Sequence, residues 1–162
     1  MSNAITPPEY GDPALPKRFW QKVRETDTGC WEWTASTFDG YGAYWINGGT
    51  RRAHRVAYAA LVRDTEADLD HLCHNPACCN PLHLRPTTPR LNGENRSGTP
   101  RNNSTGVRGV YWNKESRKYQ AQVRSNGKRY HAGMFTDLAE AESAVVALRN
   151  RLHTNNLLDR AG

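Results

Sequence analysis

The chain reads Asp70-His71-Leu72-Cys73-His74-Asn75-Pro76-Ala77-Cys78-Cys79-Asn80-Pro81-Leu82-His83-Leu84 over one short stretch. Three of its four cysteines and three of its six histidines fall here. Cys73, Cys78 and His83 recur every five residues across a turn held by two X-Pro units. Thiolate and imidazole donors together favour a tetrahedral zinc site. Cys30 can supply the fourth ligand from an upstream strand. A closed four-ligand site is structural rather than catalytic. Cys79 can stand in for Cys78, and their adjacency implies that only one of them binds.

Working outward, Asp70-His71 reads as strand and His83-Leu84-Arg85 as a second strand. Thr88 is a good helix N-cap, Pro89 suits the first helical position, and Asn92 lies one turn in. The order is β, metal-pinned loop, β, α, which can set His71 on a strand opposite Asn92 on a helix. Upstream, residues 14–25 read as an amphipathic helix with Leu15, Phe19, Trp20 and Val23 inward. Cys30 to Tyr44 alternates aromatic and small residues like a strand pair. Asn47-Gly48-Gly49 signals a hairpin, and Ala53–Leu61 looks helical.

Composition agrees with a metal-stapled fold. The 162 residues, 18.3 kDa, suit one ordinary domain or two small ones, and only 37% are hydrophobic with a mean hydropathy of −0.83. So lean a chain buries a modest core and gains from a metal staple. No apolar run is long enough for a membrane span, and no secretory apolar segment opens the chain. The expectation is a soluble, cytoplasmic protein with no membrane partner. The net charge of +6 and pI near 9.4 are unevenly distributed. Residues 1–100 are neutral, whereas residues 101–162 hold 11 basic and 5 acidic side chains. A basic segment beside a neutral one suggests a polyanion-binding module.

Asn92 to Ser104 is polar and rich in Gly, Pro and Ser, so the boundary falls near residue 100. The expected organisation is a metal-stapled unit over 14–96, a linker over 97–104, a basic unit over 105–153, and loose termini at 1–13 and 154–162. In the basic unit, Gly106–Trp112 reads as a strand. Arg117–Arg124 alternates, with Tyr119, Ala121 and Val123 on one face and Lys118, Gln120, Gln122 and Arg124 on the other. Asn126-Gly127 makes a hairpin turn. Lys128–Met134 alternates again, with Tyr130, Ala132 and Met134 inward and Arg129 and His131 outward. Asp137 with Glu140 has capping-box spacing, and Leu138, Ala141, Val145, Leu148 and Leu152 form a helical stripe. Three antiparallel strands on one helix leave an outer face of Arg, Lys, Gln, His and Asn. Such a sheet can enter a DNA major groove, although any half-exposed sheet is polar outside.

The string H-L-C-H-N-x-x-C-x-N-P-L-H-L from His71 to Leu84, with the nine-residue step from His83 to Asn92, resembles the HNH (ββα-metal, His-Me finger) endonucleases. It is closest to phage homing-type enzymes and to the His-Cys box homing endonucleases. Cys30-Trp31-Glu32-Trp33 and Ala53-His54-Arg55-Val56 fit the phage group, and the resemblance covers residues 15–96. It implies that His71 is the general base for an attacking water, which suits an imidazole at neutral pH. It implies that Asn92 binds a catalytic Mg²⁺ or Mn²⁺ through its amide oxygen, with Asp70 as a second ligand. Arg51 would clamp the phosphate, with Arg52 and Arg55 as competitors. His83 takes the place of the central Asn as a zinc ligand, and Asn80 holds the loop. His54 reads as core packing and His74 as a polar loop position.

Residues 105–153, with R-G-V-Y-W, K-Y-Q-A-Q-V-R and G-K-R-Y-H-A-G-M-F in order, resemble an AP2/ERF DNA-binding domain. Carried over by position, Arg108, Tyr111, Asn113, Gln122, Arg124, Arg129 and His131 fall on its DNA face. The resulting expectation is an α+β protein: a zinc-stapled ββα-metal nuclease unit followed by an AP2-like sheet on one helix. It would hydrolyse phosphodiester bonds of double-stranded DNA, leaving 5′-phosphate and 3′-hydroxyl ends. One such site nicks, so a double-strand break needs a homodimer or two successive cuts. The alternatives are a DNA-binding regulator with a non-catalytic zinc scaffold, or a low-specificity phage nuclease.

Overall fold

The structure is a computed structural model, and it describes residues 7–96, 98–154 and 156. It is a mixed α+β protein with several small antiparallel sheets, and the chain divides into two compact units, residues 1–88 and 89–162. The division falls at Thr88–Pro89, ahead of the linker that composition picks out.

The first unit begins with a single helical turn, α1 (Lys17–Trp20), followed by β1 (Val23–Glu25) and β2 (Trp31–Trp33), which pair antiparallel. The helix expected over 14–25 is therefore shorter. Val23 pairs with Trp33 instead, and a β-branched residue loses less freedom in a strand. Its side chain is buried either way, so the inward pattern could not separate the two outcomes: Leu15, Phe19 and Val23 are all in the core.

The core is aromatic. Phe19 meets Trp33 at 5.4 Å and Tyr44 at 5.1 Å between ring centroids. Tilted and edge-to-face pairs of this kind add about 0.5–1.5 kcal/mol each beyond area burial. The N-terminal arm is pinned to this core rather than loose. Tyr10 stands edge-on to Trp20 and Trp31, and its hydroxyl donates to the Val23 carbonyl at 2.8 Å. Residues 1–6 lie outside the described residues.

Strands β3 (Thr37–Phe38), β4 (Tyr41–Ile46) and β5 (Gly49–Arg52) form a meander. The expected hairpin joins β4 to β5, with Asn47 and Gly48 at φ 52° and 76°. Positive φ at both central positions gives the turn whose twist matches the strands. Gly42 is buried against Trp33, where an added Cβ would sit 2.6 Å from the ring. Helix α2 (Ala53–Leu61) follows, then β6 (Asp68–His71) pairs antiparallel with β7 (Leu84–Thr87). Between them run the cysteine loop and a 3-10 turn, Pro81–His83.

The second unit opens with α3 (Pro89–Glu94). Strands β8 (Val110–Asn113), β9 (Lys118–Ser125) and β10 (Lys128–Phe135) form a sheet in the order β10-β9-β8. Helix α4 (Leu138–Leu152) packs on it through Ala141, Val145 and Leu148. Asp137 caps α4 by accepting from the Glu140 amide at 3.0 Å, a bond worth about 1 kcal/mol.

Three details differ from the expected pattern. Strand β8 starts at Val110, not Gly106. The preceding turn is tied by Asn103, whose amide donates to the carbonyls of Val107 and Val110, so the end of the expected linker is folded onto the unit. Ser97 lies outside the described residues. Met134 faces outward at 45% exposure, because the β9–β10 register shifts between His131 and Gly133. A bulge inserts one residue, Ala132, and swaps the faces beyond it, so Phe135 takes the inward position. After α4, the Thr154 amide donates to Glu94 and Asn156 is buried at 3% exposure, so this part of the terminus is anchored. Residue 155 and residues 157–162 lie outside the described residues.

Candidate functional site

Two loops from opposite ends of the first unit converge on one cluster. The donor atoms of Cys30, Cys73, Cys78 and His83 all lie within 4.8 Å of one another. Nδ1 of His83 is 3.5 Å from the Cys30 sulfur and 3.6 Å from the Cys78 sulfur. The 3-10 turn aims His83 inward, and Asn80 caps that turn. The Asn80 side chain accepts from the Leu82 amide at 2.9 Å and donates to the Gly29 carbonyl at 2.7 Å. Asn80 thus ties the ligand loop to the segment that carries Cys30.

Three sulfurs and one imidazole at this spacing can hold a metal ion such as zinc. The three thiols of the cluster differ in acidity, and burial pushes the pKa of Cys30 up. Cys73 is drawn down to about 4, chiefly because the Cys78 thiol donates to it. Cys78 is pushed up by the same bond and by burial. Cys79 is not part of the cluster. It is 1% exposed within the aromatic core, and burial pushes its thiol up to about 12. The backbone explains the choice between the neighbours. The Cys79 amide donates to Trp31 at 2.7 Å, and the two side chains point to opposite sides.

The same loop holds His71. Its Nε2 lies 3.1 Å from the Cys78 backbone oxygen. A carbonyl can only accept, so Nε2 carries the proton and Nδ1 keeps its lone pair. His71 is 8% exposed, and burial lowers its pKa, opposed by the bond to Cys78 and by the charges of Cys73 and Asp70.

The ring of His54 stands edge-on to His71 at 4.8 Å, and Tyr41 lies 5.3 Å from His54 and 5.8 Å from His71. His54 is buried, as its core reading requires, but it packs against the candidate base. Burial first, then the charges of His71, Arg52 and Arg55, bring its pKa down to about 3. The sequence assigns His54 no role beyond packing, because a histidine on a helix carries no local signal of the neighbour it meets.

Asp70 is 5% exposed and accepts two bonds from Arg85, at 3.2 and 2.9 Å. The three arginines behave differently. Arg52 lies over the Tyr41 ring at 4.3 Å, on the face of the meander that adjoins His71. Arg51 pairs directly opposite Tyr44, so it lies on the other face. Arg55 donates to the carbonyls of Thr65 and Ala67 and holds that loop. Asn92 is half-buried on α3, which belongs to the second unit. The first unit therefore brings together His71, Asp70, Arg52 and the cysteine cluster, without Asn92 or Arg51.

In the second unit the strand register sets Tyr111, Asn113, Gln122, Arg124, Arg129 and His131 on the outer face of the sheet. Gln120 joins them, donating to His131 at 3.2 Å. Arg108 is not in that row. It precedes β8, and its guanidinium donates to the backbone carbonyls of Glu94 and Arg96.

Comparison with known proteins gives relatives in a phage. Protein 2.8 of Escherichia phage T7 is 38% identical over 81 residues, 48% of this chain and 56% of that protein. Protein 7.7 of the same phage is 37% identical over 68 residues, 40% of this chain and 52% of that protein. Protein 3.8 is 32% identical over 85 residues, 52% of this chain and 69% of that protein. The chain belongs to the family of phage T7 Protein 3.8. It spans only about half the length of Proteins 2.8 and 7.7, at 56% and 52%. No family model and no solved structure matches the chain. Among the described residues, no helix of this family member is long and apolar enough to cross a membrane.

Proposed function

We propose that this chain is a metal-dependent DNA endonuclease of the HNH type, with a zinc-stapled ββα unit and an AP2-like module that grips the DNA. One observation carries the reading: His71 is held through Nε2 by the Cys78 carbonyl, with the lone pair on Nδ1. A buried, oriented, neutral imidazole next to a metal-pinned loop is what a general base requires. A mere scaffold needs no such orientation.

In this reading Nδ1 of His71 takes the proton of the attacking water. Arg52, stacked on Tyr41, meets the phosphate from the same face. The fixed stack limits the freedom of the guanidinium, so less entropy is lost on contact. Asn92 would hold the catalytic Mg²⁺ or Mn²⁺ through its amide oxygen, a donor type that suits a hard cation. When bound, that ion supplies stabilisation of the charge developing on the phosphate and the leaving oxygen. Asp70 fits the ion less well, because Arg85 already neutralises it. The zinc at Cys30, Cys73, Cys78 and His83 keeps the loop closed. The outer sheet face of the second unit contacts base edges and phosphates.

The Asp70–Arg85 pair favours a second reading, a DNA-binding regulator whose zinc unit is only a scaffold. Cleavage of a supercoiled plasmid by wild type and His71→Ala, with and without added Mg²⁺, separates the two. Mg²⁺-dependent nicked or linear product, lost in His71→Ala, supports the nuclease. Retarded but uncut DNA, on a plasmid library that covers long random sequence, supports the regulator.

A further inference from the structure

The second unit holds a groove of about 600 Å³ between α3, the segment after it and the end of the sheet. Its lining includes Arg90, Arg96, Arg108, Arg124 and Arg149, against a single carboxylate, Glu94. That carboxylate is already engaged. It is 5% exposed, accepts from Arg90 at 2.8 Å, and accepts from the Thr154 amide at 3.1 Å.

The floor of the groove is built from backbone-held guanidinium groups. Arg149 is 5% exposed and donates to the Arg108 carbonyl at 2.7 Å. Arg108 in turn donates to the Glu94 carbonyl at 3.0 Å. The rim is formed by Arg96 and Arg124, both exposed. Arg124 also pairs directly across the sheet with Arg129. Like charges opposite one another on an exposed face are destabilising, so an anion laid over them relieves a cost that the fold otherwise carries.

We propose that this groove is a second phosphate-backbone site for duplex DNA, continuous at Arg124 with the outer sheet face. It rests on the DNA-binding part of the reading above and not on the nuclease chemistry. The density of arginine and the neutralised glutamate fit a polyanion, and arginine forks suit phosphate oxygens. The wall of the groove is α3, the helix that carries Asn92.

The test is fluorescence anisotropy of the full chain on a labelled random-sequence duplex across a NaCl series, without added Mg²⁺. Each phosphate contact contributes about 0.9 to the slope of log K against log salt. Arg96→Gln and Arg124→Gln should each lower that slope by about this amount, whereas Arg151→Gln, the same charge change on α4 outside the groove, should leave it unaltered. Arg96 is decisive, because it lies away from the sheet. If only Arg124→Gln lowers the slope, DNA contacts the sheet face alone and the groove proposal is overturned. Equal loss in Arg151→Gln overturns it too, since only net charge would then matter. Polyglutamate competing as well as unlabelled duplex would replace it with an acidic protein partner. Wild type that binds no duplex at any salt would sink the underlying DNA-binding reading as well. Matching circular dichroism spectra and melting temperatures show that the variants remain folded.

Discussion

The residue whose sulfur joins the candidate metal site also orients the candidate base: Nε2 of His71 lies 3.1 Å from the backbone oxygen of Cys78. One loop therefore does two jobs. Anything that opens the cluster moves the carbonyl that fixes the His71 tautomer.

Loss of the metal should accordingly unfold the first unit locally and abolish cleavage. Cys73→Ser and Cys78→Ser should purify without stoichiometric zinc and melt far below wild type, because structural zinc contributes about 10 kcal/mol or more in small sites. Cys79→Ala should keep its zinc and lose only about 1–2 kcal/mol of core packing. Metal analysis with thermal melts checks both. Full zinc in Cys78→Ser, with none in Cys79→Ala, would reverse the assignment.

His71→Ala should lower plasmid cleavage by about 10²–10⁴-fold, the usual contribution of a general base. Duplex affinity should change less than about twofold. Parallel weakening of binding and cleavage would point to a DNA contact instead of a base.

The two neighbouring arginines should part company. Arg52→Gln should cut cleavage by about 10²-fold, since it removes a charge stacked on Tyr41 beside His71. Arg51→Gln, on the opposite face of β5, should stay within about threefold of wild type. Single-turnover rates at saturating protein distinguish the two. The reverse order would restore Arg51 as the clamp.

Stability should depend on pH through His54. Its folded pKa is about 3, against an unfolded value of 6.5, with His71, Arg52 and Arg55 as the charges that face it. Below 6.5 the unfolded chain takes a proton that the folded chain refuses. The stabilisation is full above 6.5 and is lost as pH falls toward 3, by at most about 1.4 kcal/mol per unit. His54→Phe should therefore lose less stability than wild type between pH 6.5 and 5, in urea titrations at each pH. Parallel curves would count against a neutral buried His54.

Gly42→Ala should destabilise the first unit by about 1–3 kcal/mol. Its Cβ would stand 2.6 Å from the Trp33 ring, inside a core with no slack. An unchanged melting temperature would show that Trp33 can move.

Much of this was legible from local signals. Asn47-Gly48 and Asn126-Gly127 announce their turns, because positive φ is a demand met within two residues. Asp137 caps α4 for the same reason, and α2 follows its own periodicity. The cluster of Cys30, Cys73, Cys78 and His83 was readable because metal chemistry restricts donor types so narrowly. Other features depend on partners far along the chain. Val23 joins a strand because Trp33 is there to pair with it. Met134 turns outward because an inserted residue, invisible to strict alternation, shifts the register. Arg52 rather than Arg51 meets Tyr41, and His54 meets His71, because separate elements fold together. Sequence periodicity reports the face a residue prefers, whereas its neighbour on that face is set by long-range packing, and the chemistry of a site resides in the neighbours.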